Sequence, residues 1–309
     1  MDPTAALWQR RSPHSPAIPT VAALTGIDVG TLSDATAIAL AASDEAGALL
    51  DGMEVRIRTL PSAVATSAER CAGSVRGPIM WSETLTARAN SFGNEDVFVC
   101  MTTARSFDRV ENQLLVDALD SIAAAARALR GPTGERVTSD DAEKIGAVAD
   151  EARRWRSDDR LAGIRPRRLT GRAAAHVRGG HRKAWIEPVL AVRRRAREPF
   201  HPEDVSGLTD EWTRTAHGHM LRVLDALDLR RPLSLSDGGV WCGPVSFRHP
   251  DSPGSGVDGL AVRGRPVLPV GDELAGAPWA HRLAGEGIRL PQNDDPQALR
   301  ELLVGHGGP

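Results

Sequence analysis

Apolar residues recur at three- and four-residue spacing between residues 108 and 131, and this pattern predicts an amphipathic helix. Asp108 and Glu111 lie three residues apart at its start and predict a capping box, whereas Gly131-Pro132 predicts its end. The core-facing positions are Val110, Leu114, Ala118, Ile122, Ala125 and Leu129, flanked by Leu115, Leu119 and Ala126. A face of this width indicates a helix packed into a hydrophobic core.

The same spacing predicts two further helices. One begins near Ser139 and carries the apolar stripe Ile145, Val148, Ala149, Ala152 and Trp155. The other spans 208–229 and carries Trp212, Ala216, Met220, Val223, Leu224 and Leu227. A short helix is also expected between Asp295 and Val304.

Elsewhere the pattern indicates strands. Residues 24–60 contain two strand-like runs around a DEAG turn, which predicts a β-hairpin. Residues 239–247, 257–262 and 266–270 read as short strands separated by loops rich in glycine and proline. A helix followed by such a group of strands predicts an α/β core of the α+β kind.

These elements suggest a sequence of regions along the chain. Residues 1–20 contain four prolines and few apolar residues, which predicts a disordered lead-in. An N-terminal β-hairpin and helical subdomain is expected over 21–135, and a helical basic segment over 136–200. The helix-then-sheet domain is expected over 201–309.

The composition is that of an ordinary globular protein: 309 residues, of which 41% are hydrophobic and 25% are charged. Three cysteines lie far apart without a C-x-x-C pair, which argues for a reducing compartment and against a disulfide scaffold or a zinc site. No apolar run is long enough to span a bilayer, and the N-terminus lacks a signal-peptide segment. We therefore expect a cytoplasmic protein without a membrane partner.

Charge is unevenly distributed. Residues 153–197 contain fifteen Lys and Arg against three acids, although the formal net charge of the chain is −2. Such segregation indicates a polyanion-binding surface, and arginine suits bidentate contact with phosphate. The alternative interpretation is a solvated charged face. The candidate residues for binding double-stranded DNA are Arg167, Arg168, Arg172, Arg178, Arg182, Lys183, Arg193, Arg194, Arg195 and Arg197.

Four segments between Val75 and Leu115, which read VRGPIMW, SETLTAR, DVFVC and RSFDRVENQLL, resemble the McrC-like proteins of modification-dependent restriction systems. The resemblance covers about forty residues. It implies an accessory component of a prokaryotic DNA-defence system that works with an AAA+ NTPase encoded elsewhere. It also implies a C-terminal nuclease fold of the PD-(D/E)XK type.

In that fold a helical Glu, an Asp at a strand start, and an acid and a Lys on the next strand hold Mg²⁺ and the phosphodiester. Glu211 and Asp258 match the first two positions. The next strand reads Val267-Leu268-Pro269-Val270, and no lysine follows Lys183. We therefore expect a degenerate, non-cutting copy in which Glu211 and Asp258 are vestigial.

Three alternatives stay open. One is an active Mg²⁺-dependent endonuclease, in which Asp272 joins Asp258 as a metal ligand. Another is a protein-interaction scaffold with no nucleic-acid role. In the third, residues 26–37, GIDVGTLSDATA, resemble the phosphate loop of the actin–hexokinase ATPases, with Ser236 to Gly239 as the second motif. We prefer the β-hairpin interpretation for residues 26–37.

Overall fold

A computed structural model describes residues 2–166, 183–252, 258–268, 287–290 and 296–305. It combines helices and sheets and belongs to the α+β class. Within these ranges no helix is both long enough and apolar enough to cross a lipid bilayer.

The helices and strands follow one another along the chain with short connections. The helices are α1 (Pro3–Gln9), α2 (Ala17–Thr25), α3 (Val29–Ala41), α4 (Asp44–Asp51), α5 (Met53–Arg58), α6 (Trp81–Ala89), α7 (Val110–Ala123), α8 (Ala125–Ala128), α9 (Ser139–Arg156), α10 (Asp159–Ala162), α11 (Lys183–Arg197), α12 (Pro202–Gly207), α13 (Glu211–Ala226) and α14 (Pro296–Gly305). The strands are β1 (Ala63–Ala72), β2 (Val97–Ser106), β3 (Ser234–Ser236), β4 (Gly239–Cys242), β5 (Val245–Arg248), β6 (Gly259–Val262), β7 (Arg265–Leu268) and β8 (Ile288–Arg289).

The chain divides into two compact units, each assembled from separate segments. The sheet unit comprises Met1–Ala39, Arg127–Thr138 and Arg194–Pro309. The ribbon unit comprises Leu40–Ala126 and Ser139–Arg193. The sequence predicted consecutive regions, whereas the units interleave along the chain.

The sheet unit contains six strands in the order β3-β4-β5-β6-β7-β8. Strands β3 to β7 are antiparallel neighbours, and β8 pairs with β7 in parallel. Helices α2 and α13 pack against this sheet, and α1 packs against α13. Their contact buries a core that includes Leu7, Leu24, Met220 and Phe247 completely.

The ribbon unit contains the second sheet, in which β1 and β2 form an antiparallel pair over ten residues each. Helix α6 packs on β2, and α7 packs against α9. The aliphatic face predicted for α7 is buried, with Leu114, Leu115, Leu119 and Ile122 each 0% exposed. The helix prediction is confirmed for residues 110–123, but the helix breaks at Ala124, and α8 ends at Ala128, before Gly131.

The capping box predicted for α7 is wrong. Arg109 is the N-cap residue and makes no capping hydrogen bond through its side chain. The Asp108 carboxylate instead accepts a hydrogen bond from Gln113 Nε2 at 2.6 Å. Asp108 therefore lies one position too early in the chain to cap the helix.

The disordered lead-in predicted for residues 1–20 is also wrong. Asp2 caps α1 by accepting from the backbone N–H groups of Thr4 and Ala5, and Pro3 lies in the first turn. Proline is compatible with that position because the first N–H groups of a helix have no intrahelical partner. Leu7 and Trp8 are buried in the core, and Pro3 and Pro16 lie at the starts of α1 and α2, so this segment is folded.

The hairpin predicted for residues 24–60 is replaced by α3, α4 and α5. Ser43 caps α4, and in α5 the buried residues Met53, Arg56 and Ile57 follow helical spacing. Val55 is 65% exposed, so its alternation with Ile57 was too short a pattern to distinguish a strand from a helix. The N-terminal half does contain a β-hairpin, but it is formed by β1 and β2.

The C-terminal predictions agree better with the structure. Helix α13 buries the predicted face, and the run 239–247 is two strands joined at Gly243-Pro244. Strands β6 and β7 lie within the predicted segments to within a residue or two, and α14 corresponds to the predicted tail helix. Strands β3 and β8 were not predicted.

Candidate nuclease-like site and nucleic-acid interface

Asp258 lies immediately before β6, the position predicted for the acid at a strand start. Its carboxylate accepts a hydrogen bond from Arg248 Nη2, and the two side chains form an ion pair. The pairing follows from the sheet register, because Arg248 at the end of β5 lies opposite Gly259 at the start of β6. The Arg248 side chain is buried. The Asp258 carboxylate, which would face the ion in a metal site, therefore faces the Arg248 guanidinium group instead.

Glu211 is the first residue of α13 and is exposed. It lines an open cavity of about 790 Å³ together with Asp2, Trp212, Arg214 and Arg222, among others, and Asp258 is not part of that lining. A carboxylate in the first turn is stabilised by the helix dipole, which accounts for Glu211 without a catalytic role.

The described residues around Asp258 do not form a magnesium site. Mg²⁺ requires near-octahedral oxygen ligands, usually including one or two carboxylates and several waters. No group of three or more His, Cys, Asp or Glu side chains in the described ranges could hold a metal ion. Asp258 is neutralised by Arg248, and the second candidate ligand, Asp272, lies outside the described residues.

A buried polar cluster beside this site was not predicted from the sequence. His217 on α13 is 0% exposed; its Nδ1 lies 2.8 Å from Thr4 Oγ1, and its ring packs edge-on against Phe247 at 4.6 Å. Burial, followed by the nearby His249, lowers the pKa of His217 to about 3. Burial also lowers the pKa of His249.

The position of the His249 ring requires a glycine at position 26. A Cβ at position 26 would lie 2.0 Å from His249 Nδ1, and Gly26 has a φ of +72°. His217 and His249 are more than thirty residues apart in the sequence, and Thr4 precedes His217 by 213 residues. Local spacing in the sequence contains no signal for such a cluster.

The two motifs of the ATPase alternative meet at one small cavity. Asp28 and Gly238 line a space of about 200 Å³ together with Gly26 and Asp251, among others. Asp28 accepts a hydrogen bond from the backbone N–H of Thr31 and so caps α3. No strand leads into this turn, because α2 ends at Thr25 and α3 begins at Val29. The strand-to-turn geometry that a phosphate loop needs is therefore not formed here.

Many cations of the basic segment are ion-paired. Arg193 Nε donates to Asp117 at 2.7 Å, and Arg156 Nε donates to Asp120 at 3.1 Å. Arg153, Arg154 and Arg160 pair with Asp150, Glu151 and Asp158, respectively. Most of these acids lie outside residues 153–197, which is why a count of acids within the segment underestimated its neutralisation.

The other candidate DNA-binding residues are distributed as follows. Arg194, Arg195 and Arg197 belong to the sheet unit, whereas Arg193 belongs to the ribbon unit. Arg197 is exposed at the last turn of α11. Lys183 begins the same helix. Arg167, Arg168, Arg172, Arg178 and Arg182 lie outside the described residues.

The ribbon unit exposes apolar side chains that the sequence analysis did not single out. Trp81 and Leu85, one turn apart on α6, are 60% and 63% exposed. Phe92 is completely exposed and has a φ of +55°, a conformation that is unfavourable for a bulky residue. Val64, Val75 and Met101 are also exposed. Trp81 and Leu85 are neighbours on one helix face, and a contiguous apolar surface of this kind is typical of a protein-docking site.

Comparison of the chain with protein-family models, curated proteins and solved structures finds no match.

Proposed function

We propose that this protein is a DNA-binding accessory of a prokaryotic DNA-defence system and that its sheet unit is a nuclease-like fold that does not cut DNA. The observation that carries the proposal is the ion pair between Arg248, at the end of β5, and Asp258, immediately before the adjacent strand β6. Along the chain, Glu211 on α13 comes first, Asp258 before β6 comes second, and strand β7 follows. The resemblance to McrC-like proteins implies this order. The arginine replaces the charge of a metal ion.

The cationic composition of residues 153–197 supports DNA binding. Five of its arginines, Arg167 to Arg182, have no acidic residue near them in sequence, whereas Arg153 to Arg160 have acids close by. Contacts from such residues are directed to the phosphate backbone and depend steeply on salt. The binding is expected to be independent of base sequence.

An AAA+ NTPase is the proposed partner protein. The exposed apolar side chains of the ribbon unit, above all Trp81, Leu85 and Phe92, support a protein partner because burying them against another protein removes apolar surface from water. Trp81 and Leu85 belong to segments that carry the family resemblance, and Phe92 lies between two of those segments.

The proposal is tested by measuring the affinity for a 30-base-pair duplex by fluorescence anisotropy between 50 and 200 mM salt. Each phosphate contact contributes about −0.9 to the slope of log K against log salt. Replacing Arg167, Arg168 and Arg172 with glutamine is expected to reduce the magnitude of that slope by roughly 2 to 3. The matched control replaces Arg153, Arg154 and Arg160, which are ion-paired, and is expected to change it by less than 1.

Cleavage of plasmid DNA with Mg²⁺ or Mn²⁺ is measured in parallel, and no cleavage is expected. Metal-dependent cleavage that is lost in Asp258→Asn would show an active nuclease. Absence of duplex affinity at 50 mM salt would exclude the DNA-binding role.

A further inference from the structure

One edge of the six-stranded sheet carries arginines from two separate segments of the sheet unit. Strands β4 and β5 are joined at Gly243-Pro244, and β6 and β7 are joined at Arg263-Gly264. Because successive strands are antiparallel, the two turns lie at the same edge of the sheet. The backbone N–H of Arg263 donates to the carbonyl of Pro244 at 2.7 Å and ties the turns together.

The segment between α13 and β3 reaches the same edge. Cys242 Sγ donates to the carbonyl of Arg231 at 3.3 Å, and a Cβ at Gly243 would lie 3.6 Å from Leu229 Cδ2. Ser234 at the start of β3 pairs with Trp241 near the end of β4. The arginine edge, as we name it, therefore consists of Arg230, Arg231, Arg263 and Arg265, all of which are exposed.

Asp228 pairs with Arg230 of this edge at 2.9 Å. The side chains of Arg230 and Asp228 are 88% and 69% exposed, so their pairing is weak in water. An anion with several phosphates would compete effectively for the guanidinium groups.

The backbone of Arg263 adds an independent observation. Arg263 has a φ of +51° and Gly264 has a φ of +76°, the sign pattern of a type I′ hairpin turn. The β3–β4 turn has the same pattern at Asp237-Gly238, a residue pair that this turn favours. Arginine in the left-handed region costs about 1 kcal/mol relative to glycine. Turn geometry therefore does not explain the arginine.

We propose that the arginine edge binds the phosphate backbone of duplex DNA. The proposal rests on the DNA-binding function above and assigns to the sheet unit a contact of its own, separate from residues 153–197. Planar guanidinium groups on rigid strand ends can donate pairs of hydrogen bonds to phosphate oxygens. Contacts of this kind fix the position of a protein on the duplex without reading its sequence.

The test uses Arg263→Asn in the full chain. Asn-Gly is a preferred type I′ pair, so the variant is expected to melt at a higher temperature than the wild type. Its affinity for a 30-base-pair duplex is expected to fall, and the salt slope is expected to become shallower by about 1. A variant that is more stable yet binds DNA more weakly cannot have lost affinity through unfolding. The double variant Arg231→Gln/Arg263→Asn is expected to lose about 2 from the slope.

The matched control, Arg58→Gln/Arg76→Gln, removes the same charge from exposed arginines that lie outside both the arginine edge and residues 153–197. An equal loss of slope in this control would overturn the proposal, since it would reflect net charge alone.

If the wild type binds DNA and the arginine-edge variants bind it unchanged, this inference fails while the proposed function stands. If the wild type binds no DNA, both fail. If the double variant loses affinity for polyglutamate and retains affinity for DNA, the edge is a surface for acidic proteins and the proposal is wrong.

Discussion

The His217 imidazole is enclosed by Thr4, Phe247 and His249 in the core of the sheet unit. Charging this ring inside the core requires desolvation of a cation next to a second histidine. The carboxylates of Asp2 and Asp210 and the Leu24 carbonyl oppose the effect but do not cancel it, and the pKa falls to about 3. The neutral imidazole is therefore the form compatible with the fold.

This environment predicts that the protein loses stability in acid. The unfolded chain binds a proton at His217 near pH 6.5, whereas the folded chain does so only near pH 3. The contribution is therefore complete above pH 6.5 and is lost as the pH falls from 6.5 towards 3, by up to about 1.4 kcal/mol per pH unit. His249 has a lowered pKa and acts in the same direction.

The measurement is the free energy of urea unfolding at pH 7.5, 6, 5 and 4. His217→Gln is expected to flatten the dependence on pH relative to the wild type, whatever its effect on absolute stability. His14→Gln, which makes the same substitution at an exposed histidine, is the matched control. Parallel curves for His217→Gln and the wild type would contradict the assignment.

Helix α7 supplies much of the buried surface of the ribbon unit. Leu119 is 0% exposed, so Leu119→Ala removes apolar contacts and leaves a cavity. We expect a loss of about 2–5 kcal/mol in the free energy of unfolding, measured by chemical denaturation. Leu85→Ala makes the same chemical change on α6, where the side chain is 63% exposed. It is expected to change stability by less than about 0.5 kcal/mol, and similar losses in both variants would contradict the burial pattern.

The predictability of the elements follows their length and burial. Helices α7, α9 and α13 span fourteen to eighteen residues, so the apolar period repeats often enough to identify them. Strands β3 and β8, with three and two residues, contain no measurable period. Helices α3 to α5 were mistaken for strands because Val55 and Ile57 alternate over only a few positions. Tertiary contacts, such as Arg56 donating to the Leu49 and Trp185 carbonyls, determine their structure.

The candidate site was predictable only in part. The position of Asp258 at a strand start could be inferred from the sequence, because glycine and apolar residues follow it. Its pairing with Arg248 depends on the register of β5 and β6, which the sequence does not reveal. The cluster of His217, His249 and Thr4 depends on three distant segments meeting, and no local pattern encodes that arrangement.

At the scale of the whole molecule, the sheet unit depends on both ends of the described chain. Leu7, Val21 and Leu24 come from α1 and α2 and are each 0% exposed in the core that the C-terminal strands complete. Burial of each such side chain contributes about 1.5–3 kcal/mol. A domain confined to residues 201–309 would lack these contributions.

A fragment spanning residues 194–309 is therefore expected not to fold. Circular dichroism during heating should show no cooperative transition for this fragment alone. Adding a peptide of residues 1–39 is expected to restore the transition, whereas a peptide of the same composition in shuffled order should not. A cooperative melt of the fragment alone would show that α1 and α2 are dispensable.

The interleaved segments also determine when the protein can fold in the cell. Helix α2 leaves the ribosome long before α13 and the strands it packs against, with roughly 200 residues between them. At synthesis rates of about 5–20 residues per second, its apolar surface waits for roughly 10 to 40 seconds. The ribbon unit, whose segments end at Arg193, can form during this interval. Nascent chains are thus expected to need a chaperone for the first helices until the strands of the sheet unit have been synthesised.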